Sequence, residues 1–270
     1  MRIAHLSDVH VLAPRPSAID IGTRFVSFGR ALDPAERLRK LATGLGRARE
    51  ADHVVISGDL TELGTAAQLE TFAEALHDAR IDPRRITLVP GNHDAYTGGD
   101  AWSRALDGPL AAFREGSAER GVKIVERDGV TFVPLDVSCH QNVLRAAGEL
   151  SDLDIEALDR RLTDLAGRPV VVVLHHSPFV HSTFAWQWLH GLRGAERLTD
   201  VLTRHREVHV LHGHLHHDVD LALGGGRVRV FGASAVVDAP KGESRVRFYD
   251  VRSGILESVE APSAELTLAA

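Results

Sequence analysis

The stretch PVVVVLHH (residues 169–176) sets five consecutive aliphatic residues directly before two histidines. Short apolar runs with turn signals at their ends are typical of buried β-strands. Helical patterns separate this run from other runs of the same kind, which favours an α/β fold over separate helical and sheet halves. The other predicted strands with polar residues at their ends are RIAHLS (2–7), HVVIS (53–57), ITLVP (86–90) and VHVL (208–211).

The segment from Asp33 to Leu45 carries a helix signal at its start and along its length. Asp33 offers an N-cap carboxylate, Pro34 suits the first turn, and Glu36 follows three residues after the cap. Leucines at positions 38, 41 and 45 give this helix one apolar face. Further helices are predicted from about Thr65, from Ser151, and from about Gly194 to Arg206.

We predict one domain over residues 1–260 and a loose tail over residues 261–270, because no Pro/Gly/Ser-rich linker divides the chain. Residues 123–135 predict a hairpin around Asp128-Gly129, and the sequence after residue 216 predicts antiparallel sheet. Three segments match no regular element and follow predicted strand ends, so we expect them to be loops that shape a site or form a lid. They are residues 11–32, 98–121 and 179–193.

The composition is that of a globular protein, with sixteen histidines among 270 residues as its unusual feature. Cys139 is the single cysteine, which excludes an internal disulfide and a cysteine-rich zinc site. We see no secretion signal and no apolar run long enough to span a bilayer, and therefore expect a cytoplasmic protein. The net charge of −6 argues against a broad basic face for nucleic acid. An anionic substrate would need local positive charge, which metal ions could supply.

Residues that can bind metal follow all five strand candidates, at the end where ligands bind in open α/β sheets. Asp8 and His10 are two residues apart and can reach one ion, and Asp59 can bridge two ions because a carboxylate has two oxygens. Two carboxylates, one amide and four imidazoles suit Mn²⁺, Fe or Zn²⁺ better than Ca²⁺ or Mg²⁺. This set is Asp8, His10, Asp59, Asn92, His175, His214 and His216.

Together, DVH (8–10), GD (58–59), GNHD (91–94), His175 and GHLH (213–216) resemble the signature of the calcineurin-like metallophosphoesterase superfamily. Within that superfamily the sequence looks most similar to the bacterial cyclic-nucleotide and glycerophosphodiester phosphodiesterases, because GELSDLD (148–154) and LRGAERL (192–198) resemble their spacing. The resemblance covers about residues 1–220. It implies a four-layer αββα sandwich of two mixed sheets flanked by helices, with a dinuclear metal site at the carboxyl ends of the strands.

The resemblance also implies a role for each residue of the signature. His93 would lie over the phosphate, and Asp94 would orient it. Many relatives have proline directly after the histidine pair, whereas this chain reads HHSP (175–178), so either histidine of the pair could be the ligand; we prefer His175 because it follows the strand immediately. The first ion would be held by Asp8, His10, Asp59 and His216, and the second by Asp59, Asn92, His175 and His214, with Asp59 as the bridge.

The reaction implied is hydrolysis of a small phosphodiester, either a cyclic nucleotide or a glycerophosphodiester. In this mechanism a metal-bridging hydroxide attacks phosphorus in line, and His93 stabilises or protonates the leaving oxygen. Three alternatives stay open: a lipid-linked diphosphate hydrolase of the UDP-diacylglucosamine type, a phosphomonoesterase or protein phosphatase, and a metal-bearing scaffold that acts by binding a partner.

Several residues outside the signature could support such a site. The aromatic segment FAWQWL (184–189) could be a lid, a homodimer contact, or a contact with apolar substrate or membrane. Other side chains could hydrogen-bond to the ligands or contact the substrate. These are His140, His176, His212, His217 and Arg193.

Overall fold

The computed structural model describes residues 1–14, 32–180 and 183–259. Short 3-10 helices cover Pro83–Arg85, His93–Ala95 and Ala111–Gly116. The helices and strands, in chain order, are β1 (Arg2–Leu6), α1 (Pro34–Ala48), β2 (His53–Ser57), α2 (Ala66–Asp78), β3 (Ile86–Val89), α3 (Ala101–Asp107), β4 (Val125–Arg127), β5 (Val130–Pro134), β6 (Gly148–Glu149), α4 (Asp152–Asp164), β7 (Val170–Val173), α5 (Phe184–His190), β8 (Leu192–Arg193), α6 (Ala195–Arg204), β9 (Val208–His212), β10 (Val219–Leu223), β11 (Val228–Gly232), β12 (Arg247–Arg252) and β13 (Ile255–Ser258).

Two large sheets contain most of the strands, and both sheets are mixed. The first has the strand order β13-β12-β1-β2-β3, with β1, β2 and β3 parallel and β12 antiparallel to β1. The second has the order β10-β11-β9-β7-β5-β4, in which β5, β7, β9 and β11 are parallel and the two edge strands are antiparallel to their neighbours. A separate pair, β6 and β8, is parallel. The parallel strands bring their carboxyl ends to one edge of each sheet.

Three apolar cores define the layers of the fold. In the central core, Ile3 and Val55 of the first sheet pack with Phe132 of the second. Alternate residues on the same strands, such as Leu6, face outward and pack with Leu41 of α1. A third core lies on the outer face of the second sheet, against α4 and α6. The order helices, sheet, sheet, helices confirms the αββα sandwich that the family resemblance implied.

The local signals at the element ends act as predicted. The Asp33 carboxylate accepts a hydrogen bond from Glu36 N at 3.0 Å at the start of α1. Asp128 and Gly129 form the turn between β4 and β5, with φ of +48° and +81°. Two left-handed residues are what a tight hairpin turn requires.

The segments predicted to be loops contain more regular structure than expected. Residues 98–121 include α3 and a 3-10 helix, and both Trp102 and Phe113 are buried in the core beside α1 and α2. Residues 179–193 include α5 and β8. Elements of seven residues or fewer are too short to establish a clear period in the sequence. Of residues 11–32, the part from 15 to 31 lies outside the described residues, as does the predicted tail at 261–270.

The C-terminal prediction needs one correction. Strand pairs β10–β11, β12–β13 and β1–β12 are antiparallel, but β11 lies parallel to β9. The chain reverses after β10, so that β11 inserts between β9 and β10. Local residue pattern does not encode which neighbour a strand takes. In the part of the chain that the structure describes, no helix has the length and apolar character to cross a membrane.

Candidate metal centre

The polar residues that follow β1, β2, β3, β7 and β9 meet at one edge of the sandwich. Backbone pairing continues past the ends of β1 and β2, because Asp8 N donates to Gly58 O at 3.0 Å and His10 N donates to Asp59 O at 2.9 Å. The backbone N–H of His214, which follows β9, donates to Asp8 Oδ2 at 3.1 Å. The two sheets are therefore joined at the site itself.

Asp59 lies at the centre of this group. Its Oδ1 accepts a hydrogen bond from His93 N at 2.9 Å. Its Oδ2 lies 3.3 Å from His175 Nε2, 3.7 Å from His10 Nε2 and 3.9 Å from His93 Nε2. Burial alone would raise the pKa of Asp59, but the imidazoles around it hold that pKa well below its ordinary value. An ionised carboxylate among three imidazoles is suited to bridging cations.

Asp8 and His216 form the second contact within the group, and they extend to a residue that the sequence did not single out. Asp8 Oδ1 lies 3.3 Å from His216 Nε2. On the other side of that ring, Nδ1 lies 2.6 Å from Asp238 Oδ2. A carboxylate behind a ligating histidine fixes the ring orientation and strengthens the ligand. Asp238 lies outside every predicted motif, and no sequence signal marks it.

Glu62 orients the His10 ring in the same way, and the sequence did not single it out either. Its Oε2 lies 3.4 Å from His10 Nδ1 and forms an ion pair with Arg37. Burial opposes ionisation of Glu62, but the His10 imidazole and the Arg37 guanidinium outweigh it and lower the pKa to about 2. Arg37 also donates to His10 O at 2.7 Å. Its position directly after GDLT (58–61) could have indicated Glu62 from the sequence, because the loop that carries Asp59 also places Glu62 beside His10.

The histidine pair after β7 divides into two roles. His175 Nδ1 donates to Ser57 O at 2.8 Å, which leaves Nε2 facing Asp59. His176 Nε2 donates instead to Ala146 O at 2.9 Å, on a different segment. The structure therefore brings His175 rather than His176 to the Asp59 carboxylate.

The histidines of the HGHLHH stretch (212–217) also separate. His214 Nε2 donates to His190 O at 2.8 Å, so its Nδ1 is the nitrogen that can coordinate. His212 is buried beside the Phe179 ring, and its Nδ1 contacts Gly213 O. His217 is exposed, with Nδ1 2.7 Å from Leu215 O.

Asn92 is oriented by a tyrosine that the sequence did not indicate. Asn92 Nδ2 donates to the Tyr96 hydroxyl at 2.9 Å. This contact assigns the amide nitrogen to the outer side and leaves Oδ1 as the atom available for coordination.

His93 is held by Glu62 and not by Asp94, which differs from the expectation. His93 Nδ1 donates to the Glu62 carbonyl oxygen at 2.8 Å. The Asp94 carboxylate is buried and accepts hydrogen bonds from Leu60 N, Gly91 N and both the N–H and hydroxyl of Thr61, at 2.7–3.0 Å. Burial, with the charge of Asp59, raises the pKa of Asp94 to about 6. Asp94 thus ties together the two loops that carry Asp59 and His93, and its position on the 3-10 helix turns its carboxylate away from the imidazole.

The donor atoms fit metal ions. Among the described residues, five buried atoms of the predicted ligands have no hydrogen-bond partner, although such atoms are costly to leave unsatisfied. Two ligand atoms that share an ion about 2.1 Å away lie about 3.0–3.4 Å apart, which matches the 3.3 Å contacts to Asp8 and Asp59. Asp8, His10 and His216 form one group able to hold an ion, and Asp8, Asp59 and His175 form another. The five atoms are Asp8 Oδ1, His10 Nδ1, His10 Nε2, Asn92 Oδ1 and His175 Nε2.

Backbone strain is concentrated in the same group. A left-handed conformation costs a non-glycine residue roughly 1–2 kcal/mol, yet five of the nine non-glycine residues that have positive φ in the described part of the chain belong to the predicted ligand set. Gly58, with φ of +97°, allows a close approach, since a Cβ there would lie 2.4 Å from His175 Nδ1. The five strained residues are Asp8, His10, Asp59, His214 and His216.

An open cleft of about 340 Å³ lies over this group. His140 is exposed and contacts Ala95 O through Nδ1, and Arg193 forms a surface ion pair with Glu149; neither residue lines the cleft. The lining residues are Asp59, Asn92, His93, Ala146, His190, His214, His216 and Asp238.

Comparison with known proteins agrees with this geometry. The model of a family described as "Calcineurin-like phosphoesterase" matches residues 1–218. The 3',5'-cyclic adenosine monophosphate phosphodiesterase CpdA of Escherichia coli K12 is 28% identical over 230 residues, covering 84% of this chain and 74% of the relative. The glycerophosphodiester phosphodiesterase GpdQ of Enterobacter lignolyticus is 27% identical over 181 residues, covering 66% of this chain and 57% of the relative.

A dimetal phosphatase from Danio rerio has a similar solved structure, with a TM-score of 0.66 over 92% of this chain and 91% of its own. Because the two sequences are only 16% identical, this likeness concerns the fold alone.

Proposed function

The chain belongs to the calcineurin-like phosphoesterase family and is a hydrolase of phosphoric esters, and we propose that it is a metal-dependent phosphodiesterase acting on small diesters. The substrate class is a cyclic nucleotide or a glycerophosphodiester. The observation that carries the proposal is a set of buried oxygen and nitrogen atoms around Asp59 that can bind metal and have no hydrogen-bond partner. An open cleft lies over them.

We assign the same two ligand sets that the signature predicted. Asp8, His10, Asp59 and His216 would hold one ion, and Asp59, Asn92, His175 and His214 the other. Bound there, two divalent ions would neutralise the phosphate charge and make water a stronger nucleophile.

The charge balance of the cleft supports a metal requirement. Its described lining contains two carboxylates, from Asp59 and Asp238, and no lysine or arginine. This surface would repel an anionic phosphodiester, so the protein alone could not bind the substrate well. Cations in the site would reverse the sign of the local field.

His93 is the residue placed to move a proton. Because Nδ1 donates to Glu62 O, the Nε2 atom faces Asp59 and the cleft. In its cationic form His93 can donate the Nε2 proton to the leaving oxygen. In the net reaction the phosphorus–oxygen bond to the alcohol breaks and the oxygen of water binds phosphorus. The leaving oxygen takes the proton of His93, one proton of water restores His93, and the other proton of water goes to the phosphomonoester product or to solvent.

The shape and lining of the cleft favour a small polar substrate. About 340 Å³ is at the small end of ligand sites. Relatives named for cyclic AMP and for glycerophosphodiesters support this size class. A lipid-linked diphosphate is the second candidate, because Phe184 on α5 is 87% exposed near the site. The polar lining of the cleft favours the first candidate.

The test is a substrate panel with purified protein and added Mn²⁺. It compares bis-p-nitrophenyl phosphate, p-nitrophenyl phosphate, cyclic AMP and a glycerophosphodiester. We expect faster hydrolysis of diesters than of the monoester, loss of activity with chelator, and at least a 100-fold loss in Asp59→Asn. Asp200→Asn, on the exposed face of α6, is the matched control. Equal rates on diester and monoester, or activity without metal, would contradict the proposal.

A further inference from the structure

The aromatic helix α5 is an integral part of the cleft wall. His190, its last residue, lines the cleft, and the His190 carbonyl oxygen accepts the proton of His214 Nε2. The His190 ring lies 6.4 Å from the His214 ring, measured between centroids. Any substrate group that extends from the phosphate toward α5 must therefore meet His190 first.

Trp186 extends this surface outward. It precedes His190 by one helical turn, on the same face of α5. The two rings are in tilted contact, with centroids 4.2 Å apart and planes inclined by 38°. The Trp186 side chain is 49% exposed, so the indole still offers surface to a ligand.

The C-terminal end of the helix is held in place by residues 145–149. Ala146 N donates to Leu189 O at 2.9 Å, and Arg145 Nε donates to Trp188 O at 2.9 Å. Directly after α5, strand β8 pairs with β6. A platform fixed in this way loses little conformational entropy when a ligand stacks on it.

We propose that His190 and Trp186 form a stacking platform for a planar heteroaromatic ring of the substrate, such as the base of a nucleotide. This inference rests on the proposed function and selects, within it, a diester that carries a base. Trp186 lies two ring contacts from His214, and in a nucleotide one sugar ring separates the phosphate from the base. Every aromatic base has a face that stacks on such side chains.

An acyl chain fits the same surface less well. Seven of the eight residues that line the cleft are polar or charged, and Ala146 is the exception. A chain of methylene groups needs apolar walls on more than one side. A flat ring needs one aromatic face and tolerates polar groups at its edge.

The helix supplies its own matched control. Trp188 is two residues from Trp186 and therefore projects from the opposite side of α5. There it lies under the Arg145 guanidinium, 4.9 Å from the ring centroid. Trp188→Ala removes the same type of residue from the same helix without touching the proposed platform.

The experiment measures binding of AMP and of ribose 5-phosphate to the Mn²⁺-loaded protein by calorimetry. These ligands share the sugar and the phosphate and differ in the base. We expect AMP to bind about tenfold more tightly in the unmodified protein, the gap to disappear in Trp186→Ala, and the gap to persist in Trp186→Phe and Trp188→Ala. With cyclic AMP, Trp186→Ala should raise KM about tenfold and leave kcat within about twofold, while turnover of a glycerophosphodiester stays unchanged.

Equal affinities for AMP and ribose 5-phosphate in the unmodified protein would overturn the platform. A gap that persists in Trp186→Ala would also overturn it, and loss of vesicle binding or of a dimer in that variant would then identify what the helix contacts. Because the binding measurement needs no turnover, the inference can fail while diesterase activity is present. It can also hold if the protein proves to be a monoesterase, so the two failures are distinguishable.

Discussion

Replacing Glu62 by glutamine tests whether a buried carboxylate behind His10 supports the metal centre. The Glu62 side chain is fully buried, the Arg37 side chain is 2% exposed, and His10 Nδ1 lies 3.4 Å from Glu62 Oε2. Glutamine keeps the shape of the side chain and removes its charge. The main-chain carbonyl that orients His93 stays in place. The change therefore separates support of His10 from support of His93.

Two effects of Glu62→Gln follow from these contacts. Removing one partner of a buried ion pair typically costs about 3–5 kcal/mol. Arg37 keeps its hydrogen bond to His10 O, and the glutamine oxygen can still accept one bond, so we expect about 2–3 kcal/mol. Loss of a carboxylate behind a ligating histidine typically weakens metal binding by about 10–100-fold. The long 3.4 Å contact places the expected loss near tenfold.

Urea unfolding of the chelator-treated protein measures the first effect, and calorimetric titration with Mn²⁺ measures the second. Glu70→Gln, on the exposed face of α2, is the control that removes a carboxylate with no role at the site. At saturating Mn²⁺, Glu62→Gln should recover most of its kcat, because His93 keeps its orientation. An unfolding free energy within about 0.5 kcal/mol of the unmodified protein, together with unchanged Mn²⁺ affinity, would refute this reasoning.

Three further changes probe other parts of the molecule. Asp238→Asn removes the carboxylate charge beside His216 Nδ1 and should weaken Mn²⁺ binding, measured by calorimetry, by about 10–100-fold. The unfolding free energy of the metal-free protein should change little. Gly58→Ala should lower both the Mn²⁺ affinity and the unfolding free energy, because the added methyl group would overlap the His175 imidazole. Gly46→Ala, in an open part of α1, should instead raise the unfolding free energy by about 1 kcal/mol, and equal effects of the two glycine changes would contradict the close-approach argument. Burial lowers the pKa of His53, at the start of β2, from its ordinary value of 6.5 to about 3. Between these two values the unfolded chain binds a proton at His53 that the folded protein does not bind. The free energy of unfolding should therefore fall as the pH drops from 6.5 toward 3. His53→Gln should reduce the loss between pH 6.5 and 4.5 by about 2–3 kcal/mol in urea titrations, whereas His77→Gln on the exposed face of α2 should leave it unchanged.

The sequence predicted most strands of the fold and the residues gathered at the site because both depend on local pattern, whereas the αββα layering was implied by the family resemblance. A buried strand shows as an apolar run, and the first polar residue after it must lie at the strand end. Asp8, Asp59 and His175 are such residues, and the structure brings them within one group. The predicted hairpin and helix starts follow from equally local rules, such as the capping contact of Asp33.

The residues that support the site were not predictable in the same way. Asp238 reaches His216 from 22 positions further along the chain, and Arg37 reaches Glu62 from 25 positions before it. Their roles depend on which strands pair and on how the second sheet faces the first. The parallel insertion of β11 beside β9 is a choice of this kind, since it is set by competition between packed arrangements.

The strained backbone shows how local sequence pattern and the packing of the two sheets depend on each other. Aspartate and histidine adopt a left-handed conformation more readily than most non-glycine residues, but at Asp8, His10 and Asp59 the conformation still costs up to roughly 1–2 kcal/mol per residue. The conformation is maintained because the loops after β1 and β2 hydrogen-bond to each other, and because Asp94 binds the loop after β2 from a third strand end. Each turn directs a potential metal-ligand atom toward Asp59 only while its hydrogen bonds to the neighbouring loops are intact. The predicted ligand residues are therefore readable from the sequence, but their geometry is a property of the assembled sheets. A change at Asp94 should disturb the proposed metal centre without altering any of the proposed ligands.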